Sequence, residues 1–147
     1  DSLAAAKEFW MSDPAWQGLR RYIENVLWVD DWFEGFIAQD VVLDTLVYDL
    51  IYRQFDEAIT EQGGSDLAML IEFMQEWYKD GSRWVDATLK TTVGESEHNR
   101  ETNSRSVAEW QEKADADFTP LAEHAVREGA IDVCVEVVNK RLAKAGL

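Results

Sequence analysis

Chemistry in this sequence would have to be built from two histidines, one cysteine and 29 carboxylates. Glu95-Ser96-Glu97-His98 holds a Glu-x-x-His spacing. On a continuous helix, positions i and i+3 share a face, so both side chains could meet one metal ion. Dinuclear iron sites in helical bundles use this device twice, with one further Glu from each of two other helices. The second copy is missing here, because Leu121 stands three residues before His124. Glu34 and Glu72 could supply lone carboxylates, but one chain cannot assemble the full set. Two copies could pair half-sites around Glu34, Glu95 and His98. A self-contained homodimeric carboxylate/His metal-binding bundle is therefore the alternative reading. The residues around Glu95 are polar on all sides, as at a solvated helix end, so we expect no metal ligand in this chain.

No complete catalytic set is legible either, and we expect no catalytic residue. Cys134 sits between Val133 and Val135 with no histidine nearby, which suits a packing residue better than a nucleophile. Ser-His-Asp catalysis is unconvincing with both histidines in polar surroundings. Gly63-Gly64 lacks the strand–loop–helix context and following Lys of a phosphate loop. Asp30, Asp31, Glu34, Asp40, Asp44 and Asp49 lie in a very apolar stretch. Buried unpaired, each would be expensive, so we expect them solvated or paired with Arg20, Arg21, Arg53 or a partner's groups.

The elements that must position these groups read as helices. Ser2 can cap a short helix from Leu3 to Met11. Asp13-Pro14 restarts the chain, with Asp at the N-cap and Pro at the first helical position, where no amide hydrogen is needed. From Ala15 to Ile59 there is no proline, and a continuous helix there would be about 65 Å long at roughly 1.5 Å per residue. Gln62-Gly63-Gly64 ends it through a left-handed exit, and Ser65 or Asp66 can cap the next helix. That helix carries Leu67, Leu70, Phe73, Met74, Trp77 and Tyr78, with a kink expected at Asp80-Gly81-Ser82. The stretch Gly94 to Ser106 reads either as a turn or as the exposed start of a helix. Val107, Trp110, Ala114, Phe118, Leu121 and Ala125 recur at helical spacing, with a bend at Pro120. Gly129 closes this helix, and Ile131 to Lys144 form the last. We expect one all-α domain over 1–147.

In the 45 residues from Ala15 to Ile59, 26 are apolar. A surface helix needs one apolar stripe, and this segment has more. Trp28, Trp32 and Phe36 fall roughly on one line of a continuous helix, so they are the candidate partner interface. The remaining composition narrows the classes. Fourteen Lys+Arg against 29 Asp+Glu give a net charge of −15. Such a surface repels phosphate, which disfavours nucleic acid and anionic membranes as partners. No stretch approaches the roughly 18 apolar residues of a membrane span. The lone cysteine and the want of a basic-then-apolar leader suit a cytoplasmic protein. A helical scaffold subunit fits better than a free-standing enzyme.

A family resemblance points the same way. Residues 10–22, Trp10-Met11-Ser12-Asp13-Pro14-Ala15-Trp16-Gln17-Gly18-Leu19-Arg20-Arg21-Tyr22, resemble the hydroxylase β subunit of bacterial multicomponent phenol hydroxylases. So do Asp31-Trp32-Phe33-Glu34, Ala38-Gln39, Val42-Leu43-Asp44, Tyr52-Arg53-Gln54-Phe55-Asp56 and Glu61-Gln62-Gly63-Gly64-Ser65-Asp66. The likeness continues through Ala68-Met69-Leu70, Glu72-Phe73-Met74, Arg83-Trp84-Val85-Asp86-Ala87, Asn99-Arg100-Glu101 and Pro120-Leu121-Ala122-Glu123. Toluene and methane monooxygenase β subunits are looser relatives. The resemblance implies a ferritin-like bundle of long antiparallel helices, matching the C-terminal half of a longer β subunit, with no iron of its own. It implies a partner α subunit carrying the diiron centre, a small γ subunit and a second αβγ protomer. It also implies a regulatory effector protein and a reductase that uses NADH, FAD and an iron–sulfur cluster. The activity implied is hydroxylation of phenol or related aromatic compounds.

Overall fold

The computed structural model describes residues 2–147, with side chains at all of them except 65–68 and 70. Helix α1 runs Ser2–Ser12 and α2 runs Pro14–Val26. Ser2 is itself helical and so is not the cap expected of it. Asp13 caps α2 as expected. Its backbone is extended (φ −70°, ψ 126°), and its Oδ1 accepts the Ala15 amide at 2.9 Å.

The single helix expected from Ala15 to Ile59 is two. Helix α2 ends at Val26, the chain turns at Leu27 and Trp28, and α3 occupies 32–61. Asp31 makes the break: its Oδ1 accepts from the amides of Phe33 and Glu34, both at 2.9 Å. A side chain that captures two amides competes with continuation of the preceding helix.

Helix α3 carries two π-helical segments, Ile37–Leu43 and Leu50–Phe55. Of the first, Ile37, Ala38, Val41, Val42 and Leu43 are all buried. A π segment bonds i→i+5 in place of i→i+4, which shifts the side chains that follow it around the helix.

Gly63 at φ +91° gives the left-handed exit, and the Gly64 amide donates back to the Ile59 carbonyl at 2.8 Å. Helix α4 is Ser65–Glu95, with Gly64 at its cap position. The capping expected of Ser65 or Asp66, and the parts expected of Leu67 and Leu70, lie outside the described side chains. No break occurs at Asp80-Gly81-Ser82. Ser82 Oγ donates to the Lys79 carbonyl at 3.1 Å, which satisfies the hydroxyl without leaving the helix.

Helix α5 is Glu97–Ala125 and continues through Pro120. Gly129 at φ +74° turns the chain into α6, Ala130–Ala145. Among the described residues there is no strand, so the expected all-α bundle is what forms. Helix α5 is its axis, packing on α2, on the first π segment, on α4 and on α6. Tyr22 is fully buried there, 5.2 Å from the rings of both Trp110 and Phe118, and its hydroxyl donates to the Ala38 carbonyl at 3.0 Å.

Candidate interaction surface

The metal-type candidates are separated by the backbone. Glu95 is the last residue of α4, and Ser96 is extended (φ −160°, ψ 159°) before α5 begins at Glu97. The shared helical face assumed for Glu95 and His98 therefore does not exist. Ser96 Oγ accepts the Asn99 amide at 3.1 Å, so it caps α5. Glu95 Oε2 accepts from Asn99 Nδ2 at 3.1 Å, and Glu34 Oε1 accepts from Trp110 Nε1 at 3.1 Å. Glu34, Glu95 and His98 do line one open groove of about 660 Å³. Yet among the described residues no three of His, Cys, Asp and Glu are placed to hold a metal ion. Glu72 and His124 are exposed elsewhere.

The carboxylates of the apolar stretch mostly find local partners. Asp31 caps α3, and Gln39 Nε2 donates to Asp44 Oδ1 at 3.0 Å. Burial raises Asp44 above the usual carboxylate range, and the neighbouring charge of Asp40 adds to it. Burial raises Asp40 as well. Asp49 is held the other way. Burial alone would raise its carboxyl, but hydrogen bonds from Arg53 and Gln54 outweigh that and lower it. Arg53 grips it with Nε and Nη2 at 2.6 and 2.7 Å, and Gln54 Nε2 reaches it at 2.9 Å. Arg20 and Arg21 pair instead with Glu24 and Asp117.

Gln54 Nε2 also lies 3.0 Å from Cys134 Sγ. Burial, with the charge of Asp49 beside it, pushes the Cys134 thiol up to about 12. Such a thiol is not a nucleophile at neutral pH. A second polar knot joins three helices. Arg141 on α6 donates to Tyr78 Oη at 2.9 Å and to Thr45 Oγ1, and its Nε reaches Asp86 Oδ1 at 2.8 Å.

The conspicuous feature of the surface is exposed aromatic area. Trp28 is 85 % and Trp32 74 % exposed, at the α2–α3 turn and the start of α3. On α4, Met69, Phe73, Trp77 and Trp84 are each at least 60 % exposed. At 3.6 residues per turn they fall within an arc of about 80°. Large aromatic and thioether side chains grouped on a surface are characteristic of interface cores. The stripe on α4 was not foreseen, although the spacing of Met69, Phe73 and Trp77 carries its signal.

Phe36 departs from the expected trio. It is only 6 % exposed, stacked on Phe33 at 5.1 Å and edge-on to Trp84 at 5.7 Å. With the helix broken at the turn, Trp28, Trp32 and Phe36 no longer share a line, and Phe36 joins the chain's own core.

An all-α bundle with grouped aromatic residues on its surface is the class that fold and surface define. Residues 1–96 match the family model described as methane/phenol/alkene hydroxylase, and the chain belongs to that family. It is 46 % identical over its whole length to the phenol 2-monooxygenase oxygenase component DmpL of Pseudomonas sp. (strain CF600), covering 44 % of that protein. It is 28 % identical over 81 % of its length to the hydroxylase component subunit beta of the toluene-4-monooxygenase system of Ectopseudomonas mendocina, covering 34 % of it. Among solved structures, the xenon-pressurized phenol hydroxylase from Pseudomonas sp. OX1 superposes with a TM-score of 0.94 at 38 % identity, over 99 % of this chain and 44 % of that one. The chain thus spans less than half the length of these relatives. The phenol hydroxylase likeness read from the short sequence strings is the one these comparisons find.

Proposed function

We propose that this chain acts as part of an iron-free β-type subunit of a multicomponent diiron monooxygenase that hydroxylates phenol or a related aromatic compound. It would correspond to the C-terminal half of that subunit and work in the cytoplasm. Its task is to brace a catalytic α subunit that carries the diiron centre, and to help hold two αβγ protomers together. A γ subunit, a regulatory effector protein and an NADH-dependent reductase with FAD and an iron–sulfur cluster complete the system. The observation that carries this reading is the 46 % identity to a phenol 2-monooxygenase oxygenase component over the entire chain.

The physical features support it. Diiron chemistry needs carboxylates and imidazoles converging on one point, and the donors here do not fit. Glu34 and Glu95 each accept a hydrogen bond from a neighbour, and His98 is on a different helix from Glu95. No step of the reaction is therefore assigned to this chain. Its contribution is positional, through Trp28, Trp32 and the α4 stripe, whose burial would remove several aromatic side chains from water. Burying a large apolar side chain contributes roughly 1.5–3 kcal/mol.

Co-expression with a diiron-bearing monooxygenase α subunit tests the reading. The chain should co-purify with it through affinity and size-exclusion steps. A stable monomer that ignores that subunit would overturn the proposal.

A further inference from the structure

The groove between the start of α3 and the α4–α5 junction holds one unpaired buried donor beside carboxylates that have hydrogen bonds but no cation among the described residues. Trp32, Glu34, Glu95 and Asn103 line it, together with Asp31 and His98. Its volume of about 660 Å³ is within the roughly 300–1,000 Å³ of ordinary ligand clefts. Asn103 is 5 % exposed, and its Nδ2 is buried without a hydrogen-bond partner. A buried donor left unpaired is costly, and native structures rarely tolerate one without a reason. No ion pair among the described residues reaches Asp31, Glu34 or Glu95. The Trp32 indole stands exposed, held edge-on by Phe33 at 5.2 Å.

We propose that this groove seats an arginine-bearing segment of a partner subunit, an inference that rests on the chain's role in an assembly. The guanidinium meets the carboxylates of Glu34 and Glu95 and lies against the Trp32 ring, while a main-chain carbonyl of the same segment accepts from the Asn103 amide as that side chain turns toward the groove. Arginine suits the site better than lysine. Its planar cation stacks on indole faces and forks onto carboxylates, and it sheds water more readily than an ammonium. A bare metal ion is not the occupant, since the donors do not converge. An anion would be repelled by the walls.

The test is an NMR titration of the 147-residue chain with N-acetyl-Gly-Arg-Gly-amide. The control peptide carries citrulline, a neutral isostere, in place of arginine. The Asn103 side-chain amide and the Trp32 indole N–H should shift with the arginine peptide. Affinity should fall at least fivefold with the citrulline peptide and with the Glu34→Gln variant. Glu34→Gln also touches the Trp110 bond, so Trp32→Ala, at an exposed position, provides a second variant and should show the same loss. No response at these two groups, or an equal response to the citrulline peptide or to guanidinium chloride alone, overturns the assignment. Because the probe is a peptide, that failure is distinct from a failure to co-purify with a diiron-bearing subunit.

Discussion

Gly18 on α2 lies against the backbone of Asp117 on α5, so closely that a Cβ on Gly18 would stand 1.8 Å from the Asp117 carbonyl oxygen. The Arg21–Asp117 ion pair sits one turn further along the same crossing. Backbone cannot yield as a side-chain tip can. Gly18→Ala should therefore destabilise the chain by about 3 kcal/mol, at the upper end of overpacking costs. Urea unfolding followed by tryptophan fluorescence measures it, and an unchanged midpoint would refute the contact.

Asp49 and Asp44 should respond oppositely to pH. Hydrogen bonds lower Asp49 in the folded chain, so its contribution is present above the unfolded carboxylate value of about 3.9 and is lost as pH falls through the lowered one. Asp49→Asn should cost about 2 kcal/mol at pH 7, and the difference should shrink in acid. Burial raises Asp44, so its charged form is a burden that grows as pH rises from the unfolded value through the raised one. Asp44→Asn should be neutral or stabilising at pH 7, with any gain vanishing below about pH 4. Unfolding midpoints from pH 3 to 8 decide both signs.

Phe36 and Trp28 separate core from interface. Phe36→Ala should cost about 3–5 kcal/mol, because the ring is enclosed by Phe33 and Trp84. Trp28→Ala should change stability by no more than about 0.5 kcal/mol, as expected for an exposed site, yet weaken association with a partner subunit about tenfold or more. Thermal unfolding and a binding isotherm on the same variants test the pair.

Cys134 should be inert in the folded chain. With its thiol pushed up to about 12 and its side chain enclosed, it should resist a disulfide exchange reagent at pH 8 and react at once in denaturant. Rapid labelling of the native chain would contradict the buried placement.

These residues also show what the sequence could and could not convey. The Asp13-Pro14 start and the Gly63-Gly64 exit were legible because caps and left-handed turns are settled within a few residues. The break at Asp31 had a signal, an Asp just before Trp32, but the lack of any proline from Ala15 to Ile59 and the high apolar content concealed it. Phe36's burial was not legible, because it depends on Trp84 of another helix. The π segments escape any reading tuned to a 3.6-residue period. The Glu95–His98 spacing has meaning only on one continuous helix, and Ser96 turns extended between them. That residue, followed by Glu97 and Asn99, is itself an N-cap signal.

The most direct test is iron analysis of the purified chain beside the assembled hydroxylase. The account predicts no stoichiometric iron on this chain, with all the iron of the assembly on the α subunit. One or two irons bound per chain and lost on His98→Ala would contradict it.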